Sequence, residues 1–257
     1  MRLDLYLFEK GLAKSRSFAK TLITDGYVEV NGKAQKKASF EVADNDIVEV
    51  TGQPYEYVGR GGLKLEAALR SFDVDVSGMT AVDIGASTGG FTHCLLLCGA
   101  KKVYAVDIGH GQLDKSLEND SRVVNIEGMN ARFMTSDDLG EVCNLAVSDI
   151  SFISQTYVIP QIPKVVCENG IYIALIKPQF ECGKSGLNKN GIVKDKKTRY
   201  EAVKKVISCA DENDLGVCGL VKSPIEGGDG NVEYLMICRH NSGRTINEDR
   251  IKEVCEL

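Results

Sequence analysis

The sequence predicts an α/β protein: a small α+β module at the N-terminus, followed by a larger Rossmann-like domain with a mostly parallel seven-stranded sheet. Three observations predict it. From Met79 onward, short apolar runs alternate with amphipathic ones, the pattern of strands joined by crossover helices. The first of those runs ends in a carboxylate and a Gly-rich turn, T-A-V-D-I-G-A-S-T-G-G-F from Thr80 to Phe91. The first fifty residues read differently: an alternating V-E-V meets Asn31-Gly32, a strand entering a hairpin.

The bulk numbers bound the function. A chain of 257 residues has room for one large and one small domain. It is 43% hydrophobic and 26% charged, with a net charge of -5, which argues against coating nucleic acid by bulk attraction but leaves a local basic patch open. No apolar run approaches the roughly 20 residues that span a bilayer. The start, Met1-Arg2-Leu3-Asp4, lacks the pattern of a signal peptide. Nine cysteines without C-x-x-C spacing, beside only three histidines (His93, His110, His240), predict free thiols in a reducing cytosol and no metal site.

In the N-terminal module, Leu3, Leu5, Leu7 and Leu12 lie on a first short helix. Lys14-Ser15-Arg16-Ser17 then leads into Phe18–Ile23, a second helix capped by Ser15 or Ser17. Gly26–Val30 is a strand, and Asp46–Val50 closes the module as another. Between Lys10 and Lys37 there are seven basic residues against Asp25 and Glu29, a local excess that suits phosphate contact as well as a solvated face. The order of residues from Arg2 to Gly32 (R-L-D-L-Y-L-F-E-K-G-L-A-K-S-R-S-F-A-K and on to G-Y-V-E-V-N-G) closely resembles the S4 RNA-binding domain. That resemblance implies RNA contact through Lys14, Ser15, Arg16, Lys20 and Lys33.

Gly52 and Pro54 break structure, so the module is read as residues 1–54, a linker as 55–59, and the large domain as 60–257. Gly59-Arg60-Gly61-Gly62 precedes a helix with apolar Leu65, Ala68 and Leu69. Lys64 sits in its first turn, the wrong end for a cation by dipole reasoning, and by itself reads as a surface lysine. Strands are predicted at Thr80–Ile84, Lys102–Asp107, Val123–Ile126, Leu145–Ile150, Ile171–Ile176, Gly216–Val221 and Val232–Cys238. Helices are predicted at Gly90–Leu97, Leu113–Leu117, Gln155–Cys167 and Lys197–Asn213. Right-handed crossovers place the C-terminal ends of parallel strands on one edge, where ligands bind. A turn-rich stretch rather than a helix separates the last two strands, which predicts an antiparallel final pair.

Three carboxylates stand at strand ends: Asp83, Asp107 and Asp149. An acid at the position of Asp107 can accept hydrogen bonds from both ribose hydroxyls of a nucleoside cofactor, whether NAD or S-adenosylmethionine. The turn lacks the pyrophosphate-type G-x-G-x-x-G, because Ala86 follows Gly85. D-x-G-x-x-x-G-G-F instead resembles the methyltransferase form, so the implied cofactor is S-adenosyl-L-methionine. Its expected contacts are Asp83, Gly85, Ala86, Ser87, Thr88, Gly89, Gly90, Phe91, Asp107 and Asp149, with Met129 and Asn130 near the adenine. Lys177 emerges from the apolar run Ile173–Ile176, and Pro178 fixes the turn after it. Glu233 lies on the last strand.

D-I-G-A-S-T-G-G-F-T, S-D-I-S-F-I-S and L-I-K-P-Q-F-E, preceded by G-R-G-G-L-K-L, together resemble the TlyA (hemolysin A-like) family over essentially the whole chain. This family joins an S4 domain to an FtsJ-type ribosomal RNA 2'-O-methyltransferase domain of class I fold. The resemblance implies a Lys-Asp-Lys-Glu catalytic tetrad, matched here by Lys64, Asp149, Lys177 and Glu233. It implies cytidines of 16S and/or 23S ribosomal RNA as substrate, and the short N-terminus is similar to the large-subunit group. The family linker reads Arg-x-Trp-Val, whereas this chain has Tyr55-Glu56-Tyr57-Val58. In the implied reaction Lys177 takes the proton of a ribose 2'-hydroxyl, since burial and a second cation nearby both favour an unprotonated amine. Asp149 orients Lys177, and Glu233 holds Lys64 or the hydroxyl. Phe180–Lys194, with Lys184, Lys189 and Lys194, is predicted to be a mobile lid that meets RNA phosphate. Three rivals remain: an RNA-binding protein with an inactive methyltransferase-like domain, a membrane-active haemolysin, and an S4-bearing pseudouridine synthase. The βα alternation disfavours the last.

Overall fold

The computed structural model describes residues 1–13, 16–52, 56–227 and 230–257. They form two compact units, Met1–Glu56 and Tyr57–Leu257. Tyr57, Val58 and Gly59, read above as linker, therefore belong to the second unit. The reason is packing: the Tyr57 ring lies so close over Gly62 that any Cβ there would overlap it, and Val58 is buried.

In the first unit, helices α1 (Leu3–Glu9) and α2 (Arg16–Thr24) pack Leu3, Leu7, Leu22 and Ile23 against Val28. Strands β1 (Val28–Val30), β2 (Lys33–Ala34) and β3 (Val48–Val50) form an antiparallel sheet in the order β2-β1-β3. Asn31 and Gly32 turn the hairpin with φ of 53° and 72°, the left-handed pair that a two-residue loop demands. Ser15, one of the expected caps, lies outside the described residues, and position 17 is already inside α2.

The second unit opens with α3 (Gly61–Ser71). Then β4 (Thr80–Ile84), α4 (Gly90–Leu97), β5 (Lys102–Asp107), α5 (Lys115–Glu118), β6 (Val123–Glu127), α6 (Ser136–Leu139) and β7 (Cys143–Ser148) follow. The rest comprises α7 (Ile162–Val165), β8 (Val166–Ile176), α8 (Pro178–Glu181), α9 (Lys196–Asp211), β9 (Leu215–Lys222), β10 (Tyr234–His240) and α10 (Glu248–Val254). The sheet order is β6-β5-β4-β7-β8-β10-β9. The first five are parallel, and β10 runs antiparallel between β8 and β9. One core contains residues of α3 and α4 with Val103, Leu145 and Ile173, and the other contains residues of α9 and α10 with Val82, Ala146 and Met236. Side chains alternate between the two faces of each strand, so every buried strand feeds both cores.

Two further predictions differ from the structure. The helix expected at Gln155–Cys167 is a chain of short turns, 155–157, 159–161 and α7. The apolar spacing is helical, but Pro160 and Pro163 each remove an amide and break the ladder. The expected lid is built rather than loose. Asn188 Oδ1 accepts from the amides of Asn190 (2.8 Å) and Ile192 (2.9 Å). The buried Asn231 accepts from Val193 N (3.0 Å) and donates to Gly191 O (3.1 Å), while Arg199 donates to the carbonyls of Val193 and Lys194. Lys184, Lys189 and Lys194 are exposed on this pinned segment.

Candidate active site at the C-terminal edge of the sheet

The turn after β4 is built by two needs, close approach and left-handed backbone. Gly85 (φ 82°) donates with Ala86 to Val106 O, tying the turn to β5. A Cβ on Gly85 would stand 3.0 Å from Asp149 O, so only glycine lets the exits of β4 and β7 meet. Ser87 N donates to Asp107 Oδ2 (2.8 Å) and Gly109 N to Asp107 Oδ1 (2.7 Å). These bonds fix the carboxylate at the end of β5 and leave further lone pairs for a ligand.

Two cavities open along this edge. The larger, of about 570 Å³, has walls from Gly85, Ser87, Asp107, Met129, Asn130 and Asp149. Ile108, Gln112, Arg132, Ile150, Ser151 and Phe152 also wall it, none of which sequence reasoning singled out as a site residue. The smaller, of about 180 Å³, lies among Gly59–Gly61, Ala86, Thr88, Gly90, Phe91 and Lys177. Gly85, Ser87, Asp149 and Ser151 wall both, so the two are adjoining parts of one cleft.

Two of the residues expected to touch a cofactor, Asp83 and Gly89, wall neither cavity. Gly89 (φ 92°) starts α4, and a Cβ there would collide with Leu117 and Leu113, so its role is helix packing. Asp83 is fully buried; its Oδ2 accepts from Thr92 N (2.9 Å) and Oγ1 (2.7 Å), anchoring α4 to β4. Burial, opposed by the Thr92 hydrogen bonds, pushes its carboxyl up to about 7. Its Oδ1 is buried with no hydrogen-bond partner.

The four tetrad candidates form two pairs. Lys64 Nζ lies 2.6 Å from Glu233 Oε2, with side chains only 10% and 2% exposed. The lysine that reads alone as a surface residue is therefore buried. Lys177 Nζ lies 2.6 Å from Asp149 Oδ1 and donates to Ser151 Oγ at 2.9 Å. Topology explains the convergence. Because β10 is antiparallel, Tyr234 pairs with Ile176, and Glu233 arrives beside Lys177 at the same edge. Asp149 follows β7 by one residue and Glu233 precedes β10 by one, rather than lying on the strands. A Cβ on Gly61 would stand 3.6 Å from Asp149 Oδ2, so the start of α3, which carries Lys64, abuts the second pair.

A buried polar network lies beneath the Asp149–Ser154 loop. Gln155 Oε1 accepts from Ser148 Oγ (3.2 Å) and Tyr172 OH (2.9 Å), while its Nε2 donates to Leu175 O (3.0 Å). Glu181 accepts from Gln155 N (2.8 Å) and Ser154 Oγ, and burial raises its carboxyl. The loop is thus held at both ends, and at its crest Phe152 (φ 67°) is 88% exposed, tilted against Phe180 at 5.3 Å.

Of the residues expected to meet RNA, Lys14 and Ser15 lie outside the described residues. Lys20 and Lys33 are exposed. Arg16 is committed in part to the fold, because its guanidinium lies 3.2 Å from the buried carboxylate of Asp4. The Arg2 hydrogen bond, with Arg16, holds that carboxyl at about 2.

A sheet with one antiparallel strand inserted before its last member, an acid at the end of the second strand and a cleft across the strand ends define a class I methyltransferase fold, here joined to a small α+β unit. The chain belongs to the FtsJ-like methyltransferase family, whose model matches residues 57–240, and an S4 domain model matches residues 1–48. It is 39% identical to the 16S/23S rRNA (cytidine-2'-O)-methyltransferase TlyA of Mycobacterium tuberculosis, over 98% of this chain and 94% of that protein. It is 43% identical to Hemolysin A of Brachyspira hyodysenteriae, over 91% of this chain and 98% of that one. A solved structure from Streptococcus thermophilus, described as a candidate hemolysin, superposes with a TM-score of 0.81 at 38% identity, covering 100% of this chain and 94% of that one. Among the described residues, no helix is long and apolar enough to cross a membrane.

Proposed function

We propose that this chain transfers a methyl group from S-adenosylmethionine to the 2'-hydroxyl of a cytidine in ribosomal RNA in the cytoplasm, with the S4 unit recruiting the RNA. One observation carries the reading: a Lys177–Asp149 pair at 2.6 Å walls the cleft where a class I fold binds its ligand, and a buried Lys64–Glu233 pair at 2.6 Å stands at the same sheet edge. The name of the mycobacterial relative supports the substrate.

The cleft suits S-adenosylmethionine. Asp107 is fixed to accept ribose hydroxyls, and Ile108, Met129 and Ile150 offer apolar walls for an adenine. Gly85, Ser87 and Thr88 bring backbone close to where a methionine moiety would lie. When bound there, the cofactor supplies an electrophilic methyl whose bonding pair leaves with sulfur. Lys177 takes the 2'-hydroxyl proton as the oxygen attacks, and Asp149 holds the amine in place. The Glu233–Lys64 pair presents a second cation to the ribose. General-base help of this kind is worth about 10²–10⁴-fold.

Lys177→Ala tests the reading. Mass mapping of 2'-O-methyl groups on ribosomal RNA should show at least about a hundredfold loss, with S-adenosylmethionine binding retained. Normal methylation by that variant would remove Lys177 from the mechanism. An inactive relic would instead fail to bind the cofactor in a titration.

A further inference from the structure

The geometry points to Ser151 as a positioning residue that aims the lone pair of Lys177. The inference rests on the reading of Lys177 as the base. A protonated lysine has three N–H donors; the neutral amine that accepts a proton has two and one lone pair. Lys177 Nζ donates to Ser151 Oγ at 2.9 Å and is ion-paired with Asp149 Oδ1 at 2.6 Å, an oxygen that accepts no aligned hydrogen bond. Among the described residues no third acceptor stands within hydrogen-bond distance of it. Ser151 Oγ holds one N–H of the amine, the Asp149 carboxylate crowds a second direction, and the third tetrahedral direction is left to the lone pair. With Asp149 alone, no hydrogen bond would fix the amine's rotation, and it could point an N–H at the substrate.

The placement of Ser151 supports the assignment. It walls both cavities, as do Asp149, Gly85 and Ser87, and therefore sits where the two parts of the cleft join. It is exposed, so it fills no core position whose loss would unfold the chain. Its loop is anchored on both sides, by Ser148 Oγ on Gln155 and by Glu181 under Ser154 and Gln155 N. A hydroxyl held this way is an oriented acceptor. In the transfer, the lone pair takes the 2'-hydroxyl proton and the amine becomes an ammonium. The oxygen's freed electron pair forms the bond to the methyl, and sulfur keeps the pair of the bond that breaks.

The experiment compares wild type, Ser151→Ala, Ser151→Thr and Lys177→Ala on ribosomal subunits from cells lacking this chain, with tritiated S-adenosylmethionine over a pH series. Ser151→Ala should lower kcat about tenfold through lost orientation, with both KM values unchanged. The loss should persist across the whole pH series. Ser151→Thr, which restores the oxygen, should recover most of the rate. A wild-type kcat for Ser151→Ala beside an inactive Lys177→Ala overturns the positioning role and leaves the base standing. A deficit carried by KM, or one that vanishes at the upper end of the pH series, or no recovery with threonine, overturns it too. A wild-type rate for Lys177→Ala overturns the base and, with it, the role of Ser151.

Discussion

Burial decides what each carboxyl at this edge contributes. Glu233 is almost wholly removed from water, yet Lys64 faces it directly. Removing one member of such a pair leaves an uncompensated buried charge, which is why the pair persists as a unit. Among the described residues Asp83 has no cationic partner, and only Thr92 hydrogen-bonds it, through one oxygen. Its folded-state value of about 7 lies above the ordinary aspartate value near 3.9, so the folded chain holds that proton more tightly than the unfolded one. The contribution of Asp83 to stability is fully present below the unfolded value and is lost as pH rises through about 7. Asp83→Asn keeps an acceptor for Thr92 without the ionisation. Urea midpoints of ligand-free protein at about pH 4 and about pH 8 should therefore differ less for Asp83→Asn than for wild type. Equal differences for the two proteins would remove Asp83 as the source.

At the scale of elements, the short helix α8 does more than end β8. Its last residue, Glu181, accepts the Gln155 amide and the Ser154 hydroxyl, and so holds the loop that carries Asp149 and Ser151. Glu181→Ala leaves the buried Gln155 amide unpaired, while the Ser154 hydroxyl keeps Thr156, a cost of about 1–3 kcal/mol. In a unit of this size that lowers Tm by about 2–4 °C for each kcal/mol. Glu181→Gln, which still accepts from the amide, should recover much of the loss in a calorimetric scan; a Gln variant as unstable as Ala would deny the hydrogen bond its role. None of this was legible beforehand. Strands β4 and β5 were, because short apolar runs closed by Asp-Ile-Gly carry their own boundaries. The turns at 155–165 were not, since their apolar spacing mimics a helix until Pro160 and Pro163 are weighed against it. The four tetrad candidates were readable through their order in a family pattern. Ser151 was not, because a lone serine carries no periodicity and no charge, and its meaning comes only from the 2.9 Å contact with Lys177.

At the scale of the whole molecule, a chain of net charge -5 has to bring a polyanion to its cleft. The local basic excess between Lys10 and Lys37 is the means the sequence offers. Arg16 is a poor probe of it, because its guanidinium also neutralises the buried Asp4, and its loss would disturb α1 as well as any RNA contact. Lys20 and Lys33 are cleaner probes: both are exposed, and among the described residues no ion pair commits them to the fold. If they contact phosphate, the double variant Lys20→Ala, Lys33→Ala loses binding that is equal in ground and transition states. Such a loss raises KM for RNA and leaves kcat at saturation unchanged. The salt dependence of binding should weaken by about one logarithmic unit of slope for each lysine removed. Affinity for S-adenosylmethionine, a property of the other unit, should not move. Filter binding across a salt series, with kcat at saturating ribosomal RNA, checks both expectations. A variant with a lower kcat and an unchanged salt slope would mean that the first unit shapes the catalytic cleft rather than recruiting RNA to it.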